Sequence, residues 1–213
     1  MSRQRPRSVA ELRPVADQYL HAYTDPAGPY AFVTYDLAEV HDGPLTASDV
    51  LMANLLGLRL GWRDVVPLFA DNDSAPSRLR RALDAALAEA RNLPPLEDCD
   101  DTQVEMPALR MANELAYLTL FPGRSKRPWT AVTVSKVLHR LSRNVPLVDS
   151  TVKKFYGSQW AGTLRKAIRD DLDQNRGWLA ELAAQHDARG QPMPLTRSAD
   201  ILIWMDAKAK PEQ

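Results

Sequence analysis

An all-α fold is what this sequence predicts, on three observations. Apolar residues recur at helical spacing through nearly the whole chain, no alternating run of useful length occurs, and proline or glycine falls where the periodic segments end. With 213 residues, 45% of them hydrophobic, the chain is long and apolar enough to bury a full core. We read 1–213 as a single helical domain with short flexible ends at 1–7 and 209–213; two lobes, 1–105 and 106–213, sharing an interface are the alternative.

Each element has its own signal. Ser8 caps the segment SVAELRPVADQYLHAY, in which Pro14 kinks or delays the helix. TYDLAEVHDGPL reads as irregular, and TASDVLMANLLG opens with Thr46 and Asp49 at capping-box spacing and stops at Gly57. A short helix in GWRDVVPLFA is interrupted by Pro67. The strongest helix is SRLRRALDAALAEARNLPP, with Leu79, Ala82, Leu83, Ala86, Leu87 and Ala90 on one face. An acidic loop follows, then helices in MPALRMANELAYLTLFPG and TAVTVSKVLHRLSR. DSTVKKFYG takes Asp149 or Ser150 as its cap and Gly157 as its stop. WAGTLRKAIRDDLDQ and GWLAELAAQHDA give two further amphipathic segments, and TRSADILIWMDAKAK places Ile201, Trp204, Met205 and Lys208 on one face.

Composition excludes several classes of function. No apolar run approaches a membrane span or a signal peptide, which predicts a soluble, cytoplasmic protein with no membrane partner. Cys99 is the single cysteine, so there is no intrachain disulfide and no thiolate cluster, and its acidic surroundings predict an inert thiol. The four histidines are scattered without a pair at ligand spacing. We therefore assign no metal and no cofactor.

The net charge of zero, 27 bases against 27 acids, conceals a strong segregation. From Gly123 to Arg169 there are eleven Lys and Arg and a single acid, Asp149, while residues 71–101 carry eight acids against four arginines. At about 100° per residue, Lys136, Arg140 and Arg143 share one sector of a helix whose other side carries Val134, Val137, Leu138 and Leu141. Arg124, Lys126 and Arg127 precede that helix, and Lys153 and Lys154 follow it. A stripe of this kind suits phosphate binding, because neutralised phosphates release counterions. DNA is the expected partner; docking of the stripe onto the acidic residues 71–101 is the other reading.

The segment LFPGRSKRPWTAVTVSKVLHRLSRNVPLVDSTVKKFYG, residues 120–157, resembles the hairpin region of the helix-hairpin-helix DNA glycosylase superfamily. Pro122-Gly123 stands for the hairpin, Thr130-Ala131 for the pair that opens the next helix, and Val148-Asp149 for the dipeptide before the following one. The resemblance implies a two-lobed helical fold and a monofunctional glycosylase, with Asp149 beside the sugar of a flipped nucleotide, where a fixed anion favours an oxocarbenium-like transition state. Ser125 stands where the superfamily has a second hairpin glycine, and no lysine matches the position that confers lyase activity. A lyase step is therefore not implied.

Residues 45–206 resemble more broadly an uncharacterised bacterial family of unknown function, through Ser135-Lys136, the run Arg140–Arg143, Pro146 to Val152, and Asp200 to Met205. This resemblance implies a fold and no activity.

Asp149 also has a purely structural reading, as the N-cap of its helix. Asp200 reads as an early-helix acid or the partner of an arginine. The five tryptophans, Trp62, Trp129, Trp160, Trp178 and Trp204, read most simply as core or inter-helix packing, with Trp129, beside the basic loop, the one placed to stack on a base; the Tyr30, Phe32 and Tyr35 group reads as a satellite core or a pocket wall. Two functions stay open: a glycosylase-like hydrolase using Asp149, and a non-catalytic module that binds nucleic acid or protein.

Overall fold

The computed structural model describes residues 5–121, 123, 127–157, 161–186 and 190–210, and among them it contains ten α-helices and no strand. Ser8 accepts a hydrogen bond from the Ala10 amide and opens a 3₁₀ stretch, Val9–Val15, that absorbs Pro14; helix α1, Ala16–Thr24, starts only beyond it. The proline thus delays the α-helix, since it lacks the N–H that an interior position needs. A single wide turn, Phe32–Asp36, replaces part of the expected irregular stretch and buries Phe32, Tyr35 and Asp36.

Helix α2, Ala47–Met52, has the capping box of Thr46 and Asp49 and runs through a 3₁₀ turn to Gly57, which ends it at φ 81°. Helix α3, Trp62–Val65, is cut short by a 3₁₀ turn holding Pro67. Helix α4, Ala75–Arg91, is capped by Ser74 and buries Leu79, Leu83, Ala86, Leu87 and Ala90 as its periodicity predicts. The expected acidic loop contains structure: a 3₁₀ turn at Leu96–Asp98, then α5, Asp101–Glu105, capped by Asp100 with Gln103 completing the box. The acids at its start meet the positive end of the helix dipole.

Helices α6, Pro107–Leu118, and α7, Ala131–Leu141, are followed by the short α8, Ser150–Tyr156. The two amphipathic segments expected after it form one helix, α9, Ala161–Ala183. Gly177 sits inside, at a cost of about 1 kcal/mol relative to alanine, and burial of Leu172, Leu179 and Ala183 on either side outweighs it. Helix α10, Leu195–Ala209, closes the fold.

The apolar interior forms two clusters. One joins Val9, Leu12, Leu20 and Phe32 to residues of α8, α9 and α10, so both ends of the chain build it together. The other is made by α2 to α4, α6 and α7. The boundary expected near residue 105 does not separate them, because the N-terminal 30 residues pack with the C-terminal third. No helix among the described residues is long and apolar enough to cross a membrane.

Candidate ligand-binding cleft

Helix α7 is buried from Thr133 to Leu141 on every side, which corrects the expectation of an exposed basic stripe. Lys136 is 9% exposed; its Nζ donates to the Leu56 carbonyl at 2.8 Å and lies 3.3 Å from Oδ2 of Asp149. Arg140, 6% exposed, donates to the Glu39 carbonyl and to the buried carboxylate of Asp49. Arg143 reaches Asp36 at 3.3 Å. These three cations are therefore neutralised by acids, for Arg140 and Arg143 ones 91 and 107 positions away, in keeping with the rule that a buried charge is tolerated only when paired. The acidic segment instead meets α9: Lys166 and Arg169 each lie 2.5 Å from Asp101, and Arg176 lies 2.5 Å from Asp98.

The other predicted site residues scatter. Arg124 and Lys126, with Pro122 of the hairpin motif, lie outside the described residues. Arg127 is exposed with its guanidinium 4.1 Å from the Tyr117 ring centroid, Lys154 is exposed and Lys153 half-buried on α8. Trp129 is fully buried and its indole N–H donates to the Asp64 carbonyl at 3.0 Å. It anchors the core, in line with the simplest reading of the tryptophans, and this corrects the alternative of a stacking residue; its hydrogen-bond partner, 65 positions away, was not visible in the sequence.

Asp149 is the cap of α8: Oδ1 accepts from the amides of Thr151 at 3.0 Å and Val152 at 3.1 Å. The connector between α7 and α8 that delivers it is held by α7 itself. His139 bonds through Nδ1 to the Val145 carbonyl at 2.7 Å, and the Ser135 hydroxyl accepts from the Val148 amide at 3.3 Å. Complete burial and the charges of Arg143 and Arg197 push the His139 pKa well down, so the ring is neutral. Along this connector side chains alternate from Pro146 onward. Leu147 and Asp149 face one cleft, and Val145, Pro146 and Val148 face another.

The first of these clefts has a volume of about 670 Å³ and lies between α1, the loop before the wide turn, the end of α2 and α10. Its α10 wall is a helical stripe: Arg197, Ile201, Trp204 and Lys208, with Asp200 beside them. Arg197 is 2% exposed and forms a fork onto Asp36, with Nε and Nη2 each at 2.8 Å from a carboxylate oxygen. It also donates to Oδ2 of Asp200 at 2.5 Å and to the Tyr23 hydroxyl at 2.6 Å. Burial raises the Asp200 carboxyl to a pKa of about 6 in spite of this arginine, helped by the negative charges of Asp149 and Asp36. The reason is that the guanidinium is shared: Asp36 takes its bidentate edge and leaves Asp200 a single contact.

Tyr23, Tyr30 and Trp204 form an aromatic side to the cleft. Tyr23 and Tyr30 stack at 5.3 Å, Trp204 stands edge-on to both, and the Lys208 ammonium lies 4.8 Å from the Tyr30 centroid and 4.9 Å from that of Trp204. Of the group Tyr30, Phe32 and Tyr35, Tyr30 is a wall residue while the other two are buried. The sequence reading missed Tyr23, Arg197 and Lys208. The spacing 197, 201, 204, 208 was visible, but it mixes a guanidinium, an isoleucine, an indole and an ammonium, so no apolar stripe announces it.

Fold and site together define an all-α protein with an ion-paired, aromatic-walled cleft of ligand size. The chain belongs to the family of unknown function DUF6308, which it matches over residues 16–207. No curated protein and no solved structure matches it.

Proposed function

We propose that the chain is a glycosylase-like hydrolase without lyase activity, and that the cleft receives a nucleotide, extruded from DNA, with Asp149 beside its sugar. The observation that carries this reading is the pairing of two carboxylates in different environments on one cleft wall. Asp149 is fixed by two amides and faces Lys136, while Asp200 is desolvated and titrates near 6. A carboxylate held by two amides and a lysine, beside a desolvated carboxyl that keeps its proton more firmly, divides the work of glycoside cleavage between an anion and an acid.

In the reaction the C1′–N bond breaks and the base leaves with the bonding electrons, taking a proton from Asp200. Positive charge develops on the sugar opposite Asp149, and water adds to C1′, its proton returning to Asp200. The anion acts on the transition state more than on the neutral substrate, which is what catalysis requires. Tyr30 and Trp204 suit the planar base, and Lys208 suits a phosphate at the rim. With the α7 cations engaged internally, DNA phosphates fall to surface bases such as Arg127, Lys154 and Lys208.

The test is base release from duplex and single-stranded DNA carrying damaged or modified bases. Asp149→Asn keeps a competent cap and removes the charge, so release should fall at least about 100-fold while the helical fold is retained. Unchanged release in that variant overturns the catalytic reading. A non-catalytic binding module is the second reading, favoured by the full employment of Asp149 as cap and lysine partner; it predicts ligand affinity with no base release in the parent protein.

A further inference from the structure

The second cleft, of about 640 Å³, lies on the other side of the α7 to α8 connector, between α6, α7 and the start of α9. Its walls are mostly apolar, with Leu109, Tyr117, Leu118, Ala131, Val145 and Val148 among them. Tyr117 and Leu118 are 62% and 67% exposed, so this apolar surface is open to water on its α6 side. One corner differs in character. Arg165, 3% exposed, lines the cleft from α9. Its terminal nitrogens donate to the carbonyls of Gln103, Val104 and Asn144, its Nε is buried without a hydrogen-bond partner, and no carboxylate among the described residues forms an ion pair with it. Desolvation lowers its pKa to about 10.

A guanidinium this deep normally holds a carboxylate, because carbonyl dipoles replace hydration but not a counter-charge. The same corner receives the N-terminal turn of the 23-residue α9, whose dipole favours an anion. Gly162 of that turn lines the cleft, and a Cβ built there meets nothing within 4 Å. An apolar chamber whose positive corner touches the Cys99 thiol and has Glu89 as a counter-charge only beyond ion-pair distance matches one kind of molecule.

We propose that this cleft binds an amphiphile with a single carboxylate head, seated at Arg165 and the start of α9, and an apolar chain lying between α6 and the connector. The rim carries Glu105 and the ion pair of Arg110 with Glu114, at 3.9 Å, so a second negative group on a ligand would meet no unpaired cation there.

The experiment is calorimetric titration of the purified full chain with decanoate below its micellar concentration, with decanol and decyltrimethylammonium as matched probes. Decanoate should bind with a micromolar Kd, at least tenfold more tightly than decanol, and the cation should not bind. Gly162→Phe, which fills the cleft from a position with open space, should abolish decanoate binding while the helical circular dichroism is unchanged. Arg165→Gln should remove the preference for decanoate over decanol; because Arg165 also ties three carbonyls, the Gly162 variant keeps the test decisive if the Arg165 variant does not fold. Equal affinity for decanoate and decanol, no decanoate binding at millimolar concentration, or binding that survives Gly162→Phe overturns the proposal. None of these outcomes bears on Asp149, whose test is base release.

Discussion

Asp149 and Lys136 face each other at 3.3 Å, one the cap of α8 and the other in the middle of α7, so a single ion pair fixes where one helix begins relative to its predecessor. Asp149→Ala removes both the cap and the lysine's partner and should destabilise the fold by about 1–3 kcal/mol. Asp149→Asn keeps the cap but still removes the lysine's counter-charge, so it should cost less than Asp149→Ala, about 1–2 kcal/mol. Urea denaturation of the two variants measures the difference.

Arg197 is the most deeply held charge in the cleft. Arg197→Met removes the bidentate partner of the buried Asp36 and should cost about 3–5 kcal/mol. Adding Asp36→Asn should cost clearly less than the sum of the two single changes, because the uncompensated carboxylate is then gone. A double-mutant cycle by chemical denaturation checks this; strict additivity would mean that the two side chains are not coupled.

Asp200 imposes a pH dependence of definite sign. Its folded pKa, about 6, lies above the ordinary carboxylate value, so between roughly pH 4 and 6 the folded state holds more protons than the unfolded state and stability falls as pH rises. His139 acts oppositely: its lowered pKa means that stability is lost as pH drops below the ordinary histidine value. Asp200→Asn isolates the first effect. Relative to the parent, its stability should improve between pH 4.5 and 7.5, by up to about 3 kcal/mol. Denaturation midpoints of both proteins across that range supply the test, and a parallel pair of curves would refute it.

Trp129 should behave as core. Trp129→Ala should destabilise by about 3–5 kcal/mol, and Trp129→Phe, which mainly leaves the Asp64 carbonyl without its indole donor, by about 1–3 kcal/mol. Thermal unfolding reads both.

Helix identity was legible in the sequence because it rests on local signals. Thr46 with Asp49, Ser8, Gly57, Gly157 and the stripe of α4 all appear where capping and periodicity place them. Local rules failed where distance along the chain decides. Lys136, Arg140 and Arg143 share a helix sector whether that sector meets water or carboxylates, and only the fold brings Asp149, Asp49 and Asp36 to them. Gly177 reads as a break until the burial on either side is known. Asp149 was visible as a singular acid and Asp200 as an arginine partner, but their meeting in one cleft with Tyr23 and Trp204 joins residues from both ends of the chain.

The alternation of side chains from Pro146 to Asp149 makes the connector a strict ruler. Odd and even positions from Pro146 to Asp149 belong to different chambers, so deleting or inserting one residue there would exchange their linings, sending Val148 to the polar side and Asp149 to the greasy one. A change of two residues would restore the order but displace the helix start. Of all the loops in this chain, this stretch should be the least tolerant of a change in length, and an insertion scan would find it as a gap.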